Sequence, residues 1–390
     1  MIALHSIPYG HQDISRADID AVVDVLQSDW LTQGPAIKRF ERAVADYCGA
    51  RYAVATCNAT AALHLACRAL GLGPSDVLWS SPNTFVASAN CGLYVGANVD
   101  FVDIDPKTYN LCPHAFARKL KLAASVDRLP KVVVPVDFSG QPCEMEAIAE
   151  LAREYGVRII EDACHAIGAD YRGQKVGNCA FADVTVFSFH PVKIITTGEG
   201  GMILTNNTEL HRELLLLRNH GITRDEQQMT KASEGPWYYE QVALGYNYRM
   251  TDIQAALGIS QLLRVNEFVE RRRYLARRYT QALQGLPMQL PWQHPDGNSS
   301  WHLYVIKIDS TQTQVRRHEV VERLRAAGIL VNVHYIPVHL QPYYREMGFQ
   351  PGAFPNAEAY YQAAISLPIY YGLTEEQQDF VIAKLKETLQ

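Results

Sequence analysis

The sequence has no excess of basic residues, no long apolar run and no paired cysteine motif. Its 390 residues carry a formal net charge of −5, so there is no basic field to attract nucleic acid. No apolar run approaches the roughly 20 residues of a membrane-spanning helix, and the first ten residues lack the basic and apolar regions of a signal peptide. The eight cysteines are scattered without a CxxC pair, which is typical of reduced cytosolic thiols. We therefore expect a cytoplasmic protein that binds neither nucleic acid nor membrane.

Short apolar segments alternate with helical patterns over most of the chain. YAVATC precedes TAALHLACRALG, and KVVVPVDF is followed by EMEAIAELAREYG and then VRIIEDA. Strands that alternate with helices predict βαβ units, and hence an α/β fold with a mainly parallel sheet. In such sheets the carboxyl ends of the strands meet at one edge, where ligands bind.

The length of the chain favours two units. A long polar-faced helical pattern near residues 266–286 is suited to a connector, and the segments after it alternate as in a smaller α+β unit. We therefore predict a large domain at 1–260, followed by a connecting helix and a small C-terminal domain at 261–390.

The first of three informative loops is the small-residue turn Asn58-Ala59-Thr60, which follows a predicted strand and starts a helix. Backbone N–H groups at a helix start attract anions, and the Thr60 hydroxyl could add a donor. An ordinary helix N-cap suits Asn and Thr equally well, so the turn by itself does not separate the two interpretations.

The second loop carries Asp162, which directly follows the apolar strand IIE. A carboxylate in that position faces desolvation unless a positive group or a donor meets it. It could form a salt bridge or cap a helix. Alternatively, it could keep the ring nitrogen of pyridoxal phosphate protonated, which makes the ring an electron sink.

The third loop is FSFHPVKIITTGEGG, in which Lys193 is the single lysine of an apolar segment. Most lysines lie at the surface, but a lysine in an apolar pocket has a lowered pKa and can form a Schiff base with an aldehyde. Ser188 precedes it by five positions, and glycines follow at 198, 200 and 201. The phosphate turn, the strand-end Asp162 and Ser-x-x-x-x-Lys together predict a pyridoxal phosphate site.

These motifs resemble those of the DegT/DnrJ family of nucleotide-sugar aminotransferases, from SIPYG to the final helix. FSFHPVKIITTGEGG resembles the lysine signature of the family, IIEDACHAIGA its aspartate signature and LGYNYRMTDIQAALG a third. The resemblance implies the aspartate aminotransferase-like fold (fold type I) with pyridoxal 5′-phosphate as cofactor. It also implies that Lys193 forms the Schiff base with the cofactor, that Asp162 pairs with the pyridine nitrogen and that Phe85 stacks on the ring.

The resemblance implies further contacts. Those to the cofactor or its phosphate are Ala59, Thr60, His165, Ser188 and Asn247, with Asn247 reaching in from the neighbouring subunit of a homodimer. Those to the substrate are Tyr9, Asp29, Trp30, Leu31, Thr32, Ala59, Ser188, Asn247, His334 and Tyr335. The phosphate turn departs from the family in one respect, because Ala59 stands where many relatives carry glycine and lacks its freedom at positive φ.

Several phrases, among them SIPYGHQDIS, SDWLTQGP and EGPWYYEQ, resemble the transaminases of pseudaminic acid synthesis within this family. This implies transfer of the amino group of L-glutamate to C4 of UDP-2-acetamido-2,6-dideoxy-β-L-arabino-hexos-4-ulose. The product would be UDP-4-amino-4,6-dideoxy-N-acetyl-β-L-altrosamine. Amination of another nucleotide-linked ketosugar and a non-catalytic pyridoxal phosphate protein remain alternatives, whereas the presence of Lys193 disfavours a dehydratase with histidine there.

We predict no metal site. His334 and His339 are the pair that would suggest one, but Pro337 lies between them and breaks helical spacing. No carboxylate accompanies them in the same segment, as metal sites of this type usually require.

Overall fold

The computed structural model describes residues 6–389. The strands, in chain order, are β1 (Ile7–Pro8), β2 (Tyr52–Thr56), β3 (Val77–Ser80), β4 (Asn98–Phe101), β5 (Val132–Val134), β6 (Arg158–Asp162), β7 (Asp170–Tyr171), β8 (Gln174–Lys175), β9 (Val184–Ser188), β10 (Gly201–Thr205), β11 (Ile222–Thr223), β12 (Glu240–Gln241), β13 (Met288–Gln289), β14 (Gly297–Asn298), β15 (Tyr304–Ile308), β16 (Ile329–Leu330) and β17 (Ala364–Leu367).

The helices are α1 (Arg16–Leu26), α2 (Pro35–Cys48), α3 (Ala59–Ala69), α4 (Ala87–Tyr94), α5 (Pro113–Ser125), α6 (Met145–Tyr155), α7 (Thr208–Arg218), α8 (Asp252–Leu263), α9 (Val265–Leu283), α10 (Arg317–Ala326), α11 (Pro342–Glu346), α12 (Pro355–Ala363) and α13 (Glu375–Leu389). None of the helices in residues 6–389 is both long and apolar enough to cross a membrane.

A seven-stranded sheet in the order β2-β10-β9-β6-β5-β3-β4 forms the centre of the molecule. Strand β10 runs antiparallel to both of its neighbours, and the other four pairings are parallel. Every residue of β9 and β10 is buried, as expected for strands that helices cover on both faces. The predicted α/β class with a mainly parallel sheet is confirmed.

Alternate residues of the central strands supply two hydrophobic cores. Val186 and Ile203 belong to the core that contains α3, whereas Phe187 and Met202 belong to the core that contains α2 and α8. This division follows from the two-residue period of a strand, which points successive side chains to opposite faces. The sheet is therefore a rigid layer whose strand ends can hold side chains in place.

A smaller three-stranded antiparallel sheet, β13-β15-β17, packs with α9, α10 and α13 around a separate core. The N-terminal strand β1 pairs in parallel with β16, so the start of the chain joins this part of the molecule. Residues 260 and 261 lie within α8, which packs on α1 and α2. The division at 1–260 and 261–390 stays a prediction.

Candidate active site

A cavity of about 550 Å³ lies beside the carboxyl ends of β6 and β9. Ten of the residues predicted from the sequence line it: Tyr9, Ala59, Thr60, Phe85, Asp162, His165, Ser188, Lys193, His334 and Tyr335. They come from segments that are far apart in sequence, and the sheet brings them together because its strands end at this edge.

Lys193 lies in the segment between β9 and β10 and lines the cavity. Its backbone N–H donates to the carbonyl of His190 at 2.9 Å, and Thr197 N–H donates to the carbonyl of Phe189 at 3.0 Å, so the segment is held as a compact turn. Desolvation lowers the pKa of the Lys193 amine, while the nearby Cys164 and Asp162 act in the opposite direction. The amine is thus closer to its nucleophilic, uncharged form than a surface lysine.

Asp162 is the last residue of β6 and is only 4% exposed. Its Oδ1 accepts from the backbone N–H of Cys164 at 3.2 Å, and its Oδ2 accepts from the hydroxyl of Ser88 at 2.6 Å. A buried carboxylate needs such donors to remain charged. The cavity therefore contains a carboxyl group held in place by two donors, as well as the amine of Lys193.

The start of α3 forms a third wall of the cavity. Asn58 caps the helix by accepting from Ala61 N–H at 2.8 Å, which leaves the N–H groups of Ala59 and Thr60 as helix-terminal donors. Strand β10 approaches this turn so closely that a Cβ on Gly201 would lie 2.6 Å from Asn58 O. Ala59 is the first residue of α3 and is not among the positive-φ residues. The turn therefore does not use the positive-φ freedom that a glycine would offer at position 59.

His165 and Tyr335, two residues of the cavity lining, form a hydrogen bond with each other. Ser139 N–H donates to His165 Nδ1 at 3.2 Å, so the remaining proton of the neutral ring is on Nε2, which lies 3.2 Å from the Tyr335 hydroxyl. Burial and the charge of Lys193 lower the pKa of His165 well below its usual range. Tyr335 consequently accepts from His165, and its own proton is free to donate elsewhere.

His334 and His339 have separate partners. His334 Nδ1 lies 2.8 Å from the Ser366 hydroxyl, and burial lowers the pKa of His334 to about 3. His339 Nε2 lies 2.9 Å from Glu358 Oε1, a carboxylate partner that its own segment does not reveal. Within residues 6–389, no three His, Cys, Asp or Glu side chains are grouped so that they could hold a metal ion.

Five of the predicted site residues lie outside the cavity of this chain. These are Asp29, Trp30, Leu31, Thr32 and Asn247, all of them exposed. They belong to one region, because Thr32 pairs with Thr251 and Leu31 O accepts from Asp252 N–H at 2.9 Å, a few residues after Asn247.

Sequence reasoning missed several residues that line the cavity, including Thr84, Ser88 and Glu199. Thr84 and Ser88 flank Phe85, the residue singled out for its aromatic ring, and hydroxyl residues are too common to stand out in one sequence. Phe85 itself is 59% exposed in the single chain. The contact between Ser88 and Asp162, 74 positions apart, had no local signal.

Comparison with known proteins identifies the relatives of this chain. The model of the DegT/DnrJ/EryC1/StrS aminotransferase family matches residues 12–386. The spore coat polysaccharide biosynthesis protein SpsC of Bacillus subtilis is 40% identical, over 98% of this chain and 97% of its own length. The structure of Helicobacter pylori PseC, an aminotransferase involved in the biosynthesis of pseudoaminic acid, has a TM-score of 0.89 at 30% identity and covers 98% and 99% of the two chains. The PLP form of Spr1654 from Streptococcus pneumoniae has a TM-score of 0.88 at 30% identity, with 98% coverage of both chains.

The residues of the cavity fit pyridoxal phosphate. Lys193 offers an amine of lowered pKa, and Asp162 offers a buried carboxylate for the pyridine nitrogen. The start of α3, with the hydroxyls of Thr60 and Ser188, offers donors for a phosphate. One cavity thus contains a partner for each part of the cofactor: the aldehyde, the pyridine nitrogen and the phosphate.

The lowered pKa of Lys193 predicts how the cofactor-free protein captures pyridoxal phosphate. Only the uncharged amine attacks an aldehyde, so the rate should level off at a lower pH than the rate with Nα-acetyl-lysine, whose amine is solvated. Stopped-flow absorbance between pH 7 and 11 measures both rates. A protein rate that rises in parallel with that of the free amine up to its pKa would contradict the prediction.

Proposed function

The chain belongs to the DegT/DnrJ/EryC1/StrS aminotransferase family, and on that premise we propose a specific reaction for it. It is a sugar aminotransferase that depends on pyridoxal phosphate. The proposed reaction transfers the amino group of L-glutamate to C4 of UDP-2-acetamido-2,6-dideoxy-β-L-arabino-hexos-4-ulose. The product is UDP-4-amino-4,6-dideoxy-N-acetyl-β-L-altrosamine, an intermediate of pseudaminic acid synthesis.

The observation that carries the transfer of an amino group is the placement of Lys193 and Asp162 on the walls of one cavity. The choice of sugar is supported by the phrases SIPYGHQDIS and SDWLTQGP and by the likeness to PseC over 98% of this chain. The higher identity, 40%, to SpsC, a spore coat polysaccharide biosynthesis protein, supports the alternative, which is another nucleotide-linked ketosugar.

The residues of the chain divide the chemistry between them. When bound, pyridoxal phosphate supplies the electron sink for the transfer. Lys193 Nζ would hold the cofactor, and its amine would move the proton from Cα of the amino donor, a role worth roughly 10²–10⁴ in rate. Asp162 would hold the proton on the pyridine nitrogen, and the first N–H groups of α3 would bind the phosphate. The O–H of Tyr335 would be free to donate to an acceptor group of the substrate.

A homodimer with shared sites is part of the proposal. Asn247 and Trp30 lie in the exposed region outside the cavity, and large apolar side chains are exposed in the same region: Trp30 is 55%, Leu244 70% and Leu263 85% exposed. Exposed apolar side chains that cluster usually mark an interface, and we propose that these three belong to one. Tyr248 O accepts from Cys57 N–H at 2.9 Å, so the segment of Asn247 adjoins the turn that begins α3. A second copy packed here places Asn247 of each subunit at the cavity of the other.

The sugar is tested with the purified holoenzyme on a panel of UDP-, GDP- and dTDP-linked ketosugars, with NMR of each product. We expect the UDP-linked 4-keto sugar to be aminated fastest, with ping-pong kinetics and L-glutamate as donor. Faster amination of a GDP- or dTDP-linked sugar, or of a 3-keto sugar, would replace this substrate with the alternative. Conversion of the bound cofactor to its amine form by glutamate would exclude the non-catalytic protein, whereas no conversion and no product would favour it.

Shared sites are tested by mixing two inactive variants. A heterodimer of Lys193→Ala and Asn247→Ala contains one intact site, so co-expressed chains should recover activity that neither variant has alone. Light scattering measures the dimer. A monomer in solution, an active Asn247→Ala homodimer or a mixture no more active than its parts would each rule out shared sites.

A further inference from the structure

Two hydroxyl groups in the cavity lining, those of Ser88 and Thr84, form a chain of hydrogen bonds to the Asp162 carboxylate. Ser88 Oγ lies 2.6 Å from Asp162 Oδ2, and Thr84 Oγ1 lies 2.7 Å from Ser88 Oγ. The side chains of Asp162, Ser88 and Thr84 are 4%, 1% and 2% exposed. Because water has almost no access, these hydrogen bonds replace the solvation that the carboxylate would have in water.

The order of the protons in this chain follows from the chemistry of the three groups. An ionised Asp162 can only accept, so Ser88 is the donor to it. The Ser88 hydroxyl has one proton to donate. The other acceptor within reach, the Phe85 carbonyl, is neutral and lies farther away, at 3.3 Å. Ser88 therefore donates to the charged carboxylate. The Ser88 oxygen is then left to accept from Thr84, which donates.

We infer that Thr84 and Ser88 are positioning residues that set the proton affinity of Asp162 and so keep the shared proton on the pyridine nitrogen of the cofactor. The inference rests on the role of Asp162 in the proposed function. A donor to the carboxylate stabilises its charged form, and hence the pair of carboxylate and protonated ring. Without that donor, Asp162 is a stronger base and competes with the ring for the proton.

Thr84 acts through Ser88 and does not touch the carboxylate in this arrangement. The two residues are four positions apart at the start of α4, and Ser88 N–H donates to the Phe85 carbonyl at 3.2 Å, so a single turn of backbone sets their separation. A donated hydrogen bond polarises the hydroxyl that receives it and strengthens the bond that this hydroxyl makes in turn. The effect of Thr84 should therefore exist only when the hydroxyl of Ser88 is present.

The test uses holoenzyme loaded with pyridoxal phosphate labelled with nitrogen-15 in the ring, whose NMR shift reports ring protonation. The variants are Asp162→Asn, Ser88→Ala, Thr84→Val and the double variant. Ser80→Ala is the matched control, because Ser80 is a fully buried hydroxyl that donates only to the Val134 carbonyl, at 2.9 Å.

We expect Ser88→Ala to move the nitrogen-15 resonance of the ring toward its unprotonated value. The population with the proton on the ring, relative to that with the proton on Asp162, should fall about tenfold. Thr84→Val should move the resonance less, the double variant should match Ser88→Ala, and Ser80→Ala should match the unmodified protein.

Each negative result contradicts a different hypothesis. If the ring stays protonated in Asp162→Asn, then Asp162 does not have its proposed role. A shift in Asp162→Asn with none in Ser88→Ala overturns the inference alone. Additive effects of Thr84→Val and Ser88→Ala overturn the relay, because two independent donors would add. If Ser88→Ala does not hold the cofactor, Thr84→Val must still shift the resonance, and the absence of that shift counts against the inference.

Discussion

Lys193→Ala is expected to lose both the visible absorbance of lysine-bound pyridoxal phosphate and the turnover of amino donor and sugar. Among the described residues that line the cavity, only Lys193 carries a primary amine, so no other side chain there can take over the covalent link. Loss of a positioned proton-transfer group costs roughly 10²–10⁴ in rate, and loss of the nucleophile adds to it. Absorbance spectra and a single-turnover assay with L-glutamate measure the two effects.

Lys307→Ala is the matched control for that variant. Burial also lowers the pKa of Lys307, but this lysine belongs to β15 and does not line the cavity. It should retain the visible band and turnover. A Lys193→Ala protein that retained both would falsify the assignment of the lysine.

Asp162→Asn is expected to retain the cofactor but to lose turnover by roughly 10- to 10²-fold. Asparagine has nearly the same shape, so the cavity keeps its form, but a neutral amide does not hold a proton on the pyridine nitrogen. Hydrogen bonds to charged groups contribute about 1.5–3 kcal/mol, and about 1.4 kcal/mol corresponds to a factor of ten. The variant should therefore show a normal content of cofactor with a slow half-reaction.

Asp137→Asn is the control for charge near this site. Asp137 is fully buried, its backbone N–H donates to Asp162 O at 3.0 Å, and burial raises its pKa well above the usual range of a carboxyl. Burial thus favours the uncharged form of this acid, which an amide resembles. Turnover should change little. Equal losses in Asp137→Asn and Asp162→Asn would show that the effect is a general loss of local structure.

Much of the architecture follows from local patterns in the chain. The alternation of short apolar segments with amphipathic helices predicts the parallel sheet, and the sheet puts the ends of β6 and β9 at one edge. Asp162 and Lys193 each stand out in the sequence as a charged residue next to an apolar segment. The shared sheet edge explains why both line one cavity. The α/β fold and a pyridoxal phosphate site were accessible at this level, because strand period and motif order are properties of the chain itself. The aminotransferase class came from the resemblance of the motifs to a known family.

Contacts across the fold were not accessible in the same way. The partner of Asp162 is Ser88, and the proton direction at Tyr335 depends on a backbone N–H of Ser139. Asn247 and Trp30 lie outside the cavity of their own chain, although nothing in their local sequence distinguishes them from Thr60 or Ser188. Sequence alone determined which strand ends carry reactive groups, since that depends on neighbours a few positions away. Only the tertiary structure decided which hydroxyl meets which carboxylate, since a hydrogen bond depends on distances of tenths of an ångström between distant segments.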